Sequence, residues 1–180
     1  MRKAVTLLFS LVLLSGCSAY RWTSSVPADM RTVSVPTFRN ETDVVELGAV
    51  ATRQTLREFQ REGTFKIATR EDAALELQGV LKSAPTGLLN YKRSQTMRAY
   101  EHRLSLVAEV SLVDRRNGKV LFDGRPYRAE TTFFSDTDIV TARRDASGRL
   151  AEDLARQIVD DVVGFGWDRG GAGGKSKVKE

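Results

Sequence analysis

Polar and apolar positions alternate most regularly between Ala99 and Asp114. Tyr100, His102, Leu104, Leu106, Ala108, Val110 and Leu112 fall on one side. Glu101, Arg103, Ser105, Glu109 and Ser111 fall on the other, with Val107 and Val113 among them. A period of two over this length predicts a strand with one buried face. Arg115-Arg116-Asn117-Gly118-Lys119 then turns the chain. A two-residue Asn-Gly turn would set Phe122 opposite Val113, on the polar face. A three-residue loop, Arg116 to Gly118 with Gly118 in the left-handed region, pairs Arg115 with Lys119 and Leu112 with Phe122. Apolar residues then meet, so this second register is expected, with Val120 and Phe122 inward. Further on, the apolar parity flips to Tyr127, Ala129, Thr131 and Phe133. A flip takes one extra residue, and Gly124-Arg125-Pro126 is a natural bulge. Ala129 then opposes Leu106, and Thr131 opposes Leu104.

Upstream, Thr32 to Phe38 alternates around Val33 and Val35 and predicts a first strand, with Pro36 at its edge or end. A helix follows over roughly 44–62. Asp43 can cap it, with Glu46 reaching back as in a capping box. Val45, Ala49, Thr52, Leu56 and Phe59 would form its apolar stripe. Arg53, Arg57 and Arg61 repeat every four residues as a solvated face, and Gly63 stops the helix. Phe65 and Ile67 open the next strand, Asp72-Ala73-Ala74 interrupts it, and Leu75, Leu77, Gly79 and Leu81 resume it. Ala84 to Met97 reads as a long connection, a length that is often functional. Ser135 to Asp138 is a polar turn. A second helix is expected from about Asp145, or earlier, to Gly164. Its stripe is Ala151, Leu154, Ile158, Val162 and Phe165, and Gly148 weakens its first turn.

The N-terminus follows a different pattern. Arg2 and Lys3 precede an apolar run, Ala4 to Leu14, and Leu14-Ser15-Gly16-Cys17 closes it. A charged start, a short apolar core and small residues make an export signal. The run is well below the ~20 apolar residues that span a bilayer. Cys17 is the only cysteine, so no disulfide is possible within the chain. Ser18 to Met30 is polar and turn-rich, a tether reaching at most about 43–47 Å. The tail from Arg169 to Glu180 has almost nothing to bury and is expected to be disordered. The chain has 28 Lys and Arg against 23 Asp and Glu. Without Arg2, Lys3 and the tail's Arg169, Lys175, Lys177, Lys179 and Glu180, the body keeps 22 of each sign. A neutral body argues against nucleic acid as a partner.

The order strand, helix, three strands, helix gives an α+β fold. The first strand–helix–strand unit is a right-handed crossover with parallel strands. The rest is an antiparallel meander. Two amphipathic helices can share one sheet face, so the expectation is a two-layer sandwich, β-α-β-β-β-α, with a four-stranded mixed sheet. Residues 1–16 form the signal, 17–30 the lipidated tether, 31–168 the domain and 169–180 the tail.

Leu14-Ser-Gly-Cys17 looks like the lipobox of bacterial lipoproteins. Further pieces are Tyr20, Val26-Pro27, Thr37-Phe38-Arg39-Asn40-Glu41-Thr42, Leu77-Gln78-Gly79-Val80, the Tyr100–Leu112 strand and Phe133-Phe134. In this order the sequence resembles the lipopolysaccharide-assembly lipoprotein family, LptE. The lipobox resemblance implies cleavage before Cys17, a diacylglyceryl thioether on Cys17 and an acylated new N-terminus. Ser18 after the cysteine implies sorting to the outer membrane, where the body would face the periplasm. The family resemblance implies a plug in a large outer-membrane β-barrel, LptD, and contact with lipopolysaccharide bound for the outer leaflet. Val33 to Thr42 also looks like the opening strand of regulatory lipoproteins that activate a cell-wall synthase, although their tethers tend to be longer.

Catalysis is not expected. His102 is the one histidine and points inward, no free thiol remains once Cys17 is lipidated, no metal-ligand spacing appears, and Asp160 and Asp161 point apart on a helix. No cofactor is implied. Basic residues beside apolar ones suit an anionic lipid, because arginine grips phosphate bidentately. Strand polarity places the 84–97 connection and the turn into the last helix at one end of the sheet. Lys92, Arg93, Arg143 and Arg144, near Leu88, Leu89 and Tyr91, are therefore the candidate lipopolysaccharide-binding residues. Arg115, Arg116 and Lys119 mark the opposite end.

Overall fold

The computed structural model describes residues 26–93, 98–135 and 138–167, with backbone alone for 90–99. Cys17, the signal, the tether up to Ser25 and the tail lie outside the described residues. Seven strands are present: β1 (Thr32–Ser34), β2 (Arg39–Asn40), β3 (Lys66–Ile67), β4 (Leu75–Ser83), β5 (Thr86–Arg93), β6 (Arg98–Asp114) and β7 (Lys119–Ser135). The helices are α1 (Leu47–Glu62) and α2 (Ile139–Val163). The class is α+β as expected, but the mixed sheet has seven strands rather than four. The first strand breaks after Ser34 and resumes at Arg39. Lys66–Ile67 pairs separately with β1, and half of the expected long connection is a strand.

β4 runs parallel to β1 and β2 and antiparallel to β6. It pairs with the far half of β6, residues 107–114, while β5 pairs with the near half, 98–104. The two therefore lie end to end along one edge of β6, and β7 follows the other. Leu104, Leu106, Ala108, Val110 and Leu112 of β6 are fully buried, as their period predicts. Leu75, Leu77 and Leu81 of β4 join them beneath the helices.

The hairpin register is the expected one over its core. Leu112 pairs with Phe122, Leu106 with Ala129 and Leu104 with Thr131. The turn itself differs. Asp114 pairs with Lys119, so the loop has four residues. An extra bulge at Leu121 returns the strands to register, and a second, with Gly124 at φ 54°, follows Phe122. Val120 is consequently exposed rather than inward. The wider loop is held by Asp114, which accepts from the Arg116 backbone N–H at 3.0 Å and from its guanidinium at 2.8 Å.

Helix α1 starts at Leu47, and Asp43 does not cap it. Asn40 closes the entry loop instead, donating to the Val44 carbonyl at 2.9 Å and accepting from the Thr42 N–H at 3.1 Å. Glu46 then stands at φ 66°, a left-handed conformation unusual for a residue with a Cβ. The buried face shifts with the start. It consists of Leu47, Gly48, Ala51, Thr52, Thr55, Glu58 and Phe59, and Val45 is 85% exposed. Gly63 ends α1 at φ 83°, its N–H on the Phe59 carbonyl.

Helix α2 begins six residues before Asp145. The Asp138 carboxylate accepts from the Val140 and Thr141 N–H groups, both at 3.0 Å, and caps it there. Its buried face includes the expected Ala151, Leu154, Ile158 and Val162, and Phe165 beyond its end is buried too. Gly148 now lies well inside the helix, and a Cβ there would meet nothing within 4 Å. Gly148→Ala is expected to stabilise by about 0.5–1 kcal/mol, read as a rise of a few degrees in thermal midpoint.

Two details bind the first strands to the helices. Phe38 is buried, and its N–H donates to Thr52 Oγ1 at 2.9 Å, whose hydroxyl donates on to the Gly48 carbonyl at 2.7 Å. Val26 is also buried, and Asp29 pairs with Arg116, so packing reaches into the segment read as tether.

Candidate functional site

Where β4 gives way to β5, the entry loop of α1 and the first turns of α2 close on Thr86. Between them lies an open groove of about 430 Å³. Its walls are aliphatic: Val44 and Val45 from the loop, Ile139 and Val140 from α2. Val45 and Val140 are 85% and 74% exposed, so this is uncovered apolar surface rather than core. Val45 stands just before Glu46, whose left-handed backbone precedes the first helical residue, Leu47.

Arg143 forms the floor. Its two terminal nitrogens grip the Asp43 carboxylate, both at 3.0 Å, and one also donates to the Ala84 carbonyl at 2.7 Å. The guanidinium thus ties α2 to the entry of α1 and to the β4–β5 junction. Hydrogen bonding from Arg143 holds the Asp43 carboxyl below its usual range, with burial opposing more weakly. Arg144 stands at the rim, 78% exposed, with Glu46 at 3.7 Å. A second, polar hollow beside the first is lined in part by Glu41, Lys82 and Ser83.

The expected four-residue cluster is therefore divided. Arg143 and Arg144 share the groove, on the second turn of α2 rather than in a loop. Lys92 and Arg93 are the last residues of β5, six and seven positions beyond Thr86. At about 3.4 Å per residue they stand roughly 20 Å farther along the sheet. An extended strand, not a folded loop, carries them there. Leu88 and Leu89 are exposed, as their place beside the basic pair suggested.

The other candidate groups have structural partners. His102 Nε2 lies 3.0 Å from Ser135 Oγ, and its ring stacks on Phe133 with centroids 5.1 Å apart. Asp161 accepts from Arg125 and from the Tyr127 hydroxyl. Among the described residues no group of three or more potential metal ligands gathers, and no helix is long and apolar enough to cross a membrane.

Sequence patterning did not reveal two buried carboxylates at the opposite end. Glu76 is bound by Gln78 at 2.7 Å, Arg115 at 2.6 Å and Arg70 at 2.9 Å. Burial pushes its carboxyl up, but these hydrogen bonds outweigh it and the net shift is downward. Asp114 is held by Arg116. The cations Arg115 and Arg116 thus neutralise buried acids of the fold. Only the short spacing Asp114-x-Arg116 could have signalled this.

The profile of the family described as lipopolysaccharide-assembly, LptE, matches residues 30–162. No curated protein matches the sequence significantly. Among solved structures, the hypothetical protein CT253 from Chlamydia trachomatis superposes with a TM-score of 0.51 at 12% identity, covering 74% of this chain and 96% of its own. A homologue of neuraminyllactose-binding haemagglutinin from Helicobacter pylori does so with a TM-score of 0.51 at 12% identity, covering 77% and 86%. At such identities the likeness is one of fold.

Proposed function

The chain belongs to the lipopolysaccharide-assembly family LptE, and on that premise we propose that it is an outer-membrane lipoprotein, anchored through Cys17, that seats in an LptD-type β-barrel and contacts lipopolysaccharide bound for the outer leaflet. The observation that carries this is the family match, which spans the packed body almost end to end. The site is consistent with it. Arg144 at the groove rim is exposed, and with Lys92 and Arg93 on β5 it offers basic stations for a phosphorylated ligand. The sheet face away from the helices is mostly polar and partly self-paired, with Arg39–Glu41–Lys82 at 2.7 and 2.8 Å and Ser111–Asp123 at 2.6 Å, and Phe134 stands exposed. Such a face suits the wet interior of a large barrel.

Affinity purification of the tagged chain from outer membranes tests the partner. The expected companion is a β-barrel, whereas recovery of a cell-wall synthase would favour the regulatory alternative. Cys17→Ala is expected to abolish palmitate labelling and to release into the soluble fraction whatever the barrel does not hold. Two acyl chains anchor stably where one does not, and label persisting in the variant would refute Cys17 as the attachment site.

Lipid contact is tested by replacing Lys92, Arg93 and Arg144 together with alanine. Each charge-assisted hydrogen bond contributes about 1.5–3 kcal/mol, so binding of lipopolysaccharide should weaken at least tenfold. Stability should change by no more than about 0.5 kcal/mol. Unchanged binding would remove these residues from the site. Arg143 is left out because its loss would unseat Asp43 and Ala84 as well.

A further inference from the structure

We propose that the outer edge of β5 is a strand-docking site, which takes an extended segment of a partner protein as an added strand and one of its apolar side chains in the adjoining groove. The backbone supplies the first observation. The Pro85 carbonyl accepts from the Ser105 N–H at 3.1 Å, so Pro85 and Gly87 turn their polar groups toward β6. By alternation Thr86 and Leu88 turn theirs away from it. Among the described residues β5 pairs with β6 alone.

The other edges of the sheet are closed or short. On β7, Gln157 donates to the Arg128 carbonyl at 3.1 Å and Arg149 to the Thr132 carbonyl at 3.2 Å, so α2 covers that edge. Pro126 and two bulges interrupt it further. β3 has only two residues. Among the described residues nothing equivalent covers β5, where Leu88 is 61% exposed.

The chemistry of this edge selects its occupant. A row of backbone donors and acceptors recognises another backbone, and alternate side chains of the added strand then find pockets about two residues apart. The groove against Thr86, walled by Val45 and Val140, is such a pocket. Two residues that line it, Thr86 and Arg143, each carry a buried polar atom, Oγ1 and Nε, with no hydrogen-bond partner among the described residues. Around the groove Asp43 pairs with Arg143 and Glu46 with Arg144, so its charges are balanced and its aliphatic walls suit an uncharged apolar side chain of the incoming strand.

The proposal rests on the reading of the chain as a subunit of an outer-membrane assembly, so the test uses the chain with its co-purified barrel. Hydrogen exchange at the Thr86 and Leu88 amides is measured in the isolated chain and in the complex. Exchange at least tenfold slower in the complex is expected. Leu88→Pro removes an N–H that does not serve β6, at a sheet edge where proline is tolerated. It should lower barrel retention at least tenfold, whereas Leu88→Ala, which keeps the N–H, should lower it less. Fast exchange at both amides in the complex overturns the proposal and leaves the functional reading standing. So does full retention by a folded Leu88→Pro chain. Protection that instead appears in the isolated chain as its concentration rises assigns the edge to a second copy, which also overturns it. Absence of any barrel from the wild-type preparation overturns the functional reading, and this proposal with it.

Discussion

Gly48→Ala is expected to destabilise the fold by about 2–3 kcal/mol, the upper part of the range for overpacking. Helix propensity alone predicts the opposite, a gain of roughly 1 kcal/mol for alanine over glycine inside a helix. Contact decides the sign. A Cβ at Gly48 would lie 2.5 Å from the Phe38 carbonyl oxygen and 3.3 Å from Asn40 Cβ. The oxygen is backbone and cannot rotate away. Phe38 has little room to retreat, because its ring already fills the space over Gly79 where a side chain would stand. The first strands and α1 would have to separate, stretching the hydrogen bond from the Phe38 N–H to Thr52. The urea midpoint should fall with the slope unchanged. A midpoint that rises, as expected for Gly148→Ala, would show that the contact can relax.

Arg116→Ala is expected to cost about 2–3 kcal/mol at neutral pH. Asp114 is 1% exposed and accepts from Arg116 through Nε, Nη2 and the backbone N–H, and from Asn117. Removing the guanidinium leaves a buried carboxylate with two weaker partners. Breaking a fully buried pair costs about 3–5 kcal/mol, and the partial exposure of Arg116 reduces that. The effect should depend on pH. Hydrogen bonding from Arg116 lowers the Asp114 pKa, with burial opposing less strongly. A carboxyl with a lowered folded-state pKa stabilises fully above its unfolded value, about 3.9, and that contribution is lost as pH falls through the folded value. The gap between wild type and Arg116→Ala should therefore be full at pH 7 and shrink below about pH 4. An equal gap at both pH values would assign the loss to packing alone.

The long hairpin was legible because its signal is local. Parity along β6 identified the buried face, and the parity flip near Gly124 called for a bulge that exists. The loop is one residue longer than the three-residue turn that apolar pairing favours, because the side chain of Asp114 holds it. β5 was hidden because Pro85 and Gly87 open it and its strand-like residues are few. The stripe of α1 was displaced because Val45, apolar and correctly spaced, precedes a helix whose start Asn40 fixes from outside. The early start of α2 was visible in Asp138-x-x-Thr141, but Gly148 suggested a later one. Arg143 and Arg144 were placed at the right end of the sheet by strand polarity alone. Their partners, Asp43 and Glu46, lie about a hundred residues away in sequence, and no spacing rule reaches that far.

The separation of paired residues along the chain also sets an order of events. β6 and β7 meet across a four-residue loop, whereas β1 finds β4 only after some forty residues are brought together, Val33 against Leu75. Local pairings close with less loss of chain entropy and so form earlier. The wedge of Phe38 between α1 and β4 is then a late event on the folding path. A defect introduced there acts mainly after the transition state, leaving the rate of folding nearly intact and shortening the lifetime of the folded molecule instead.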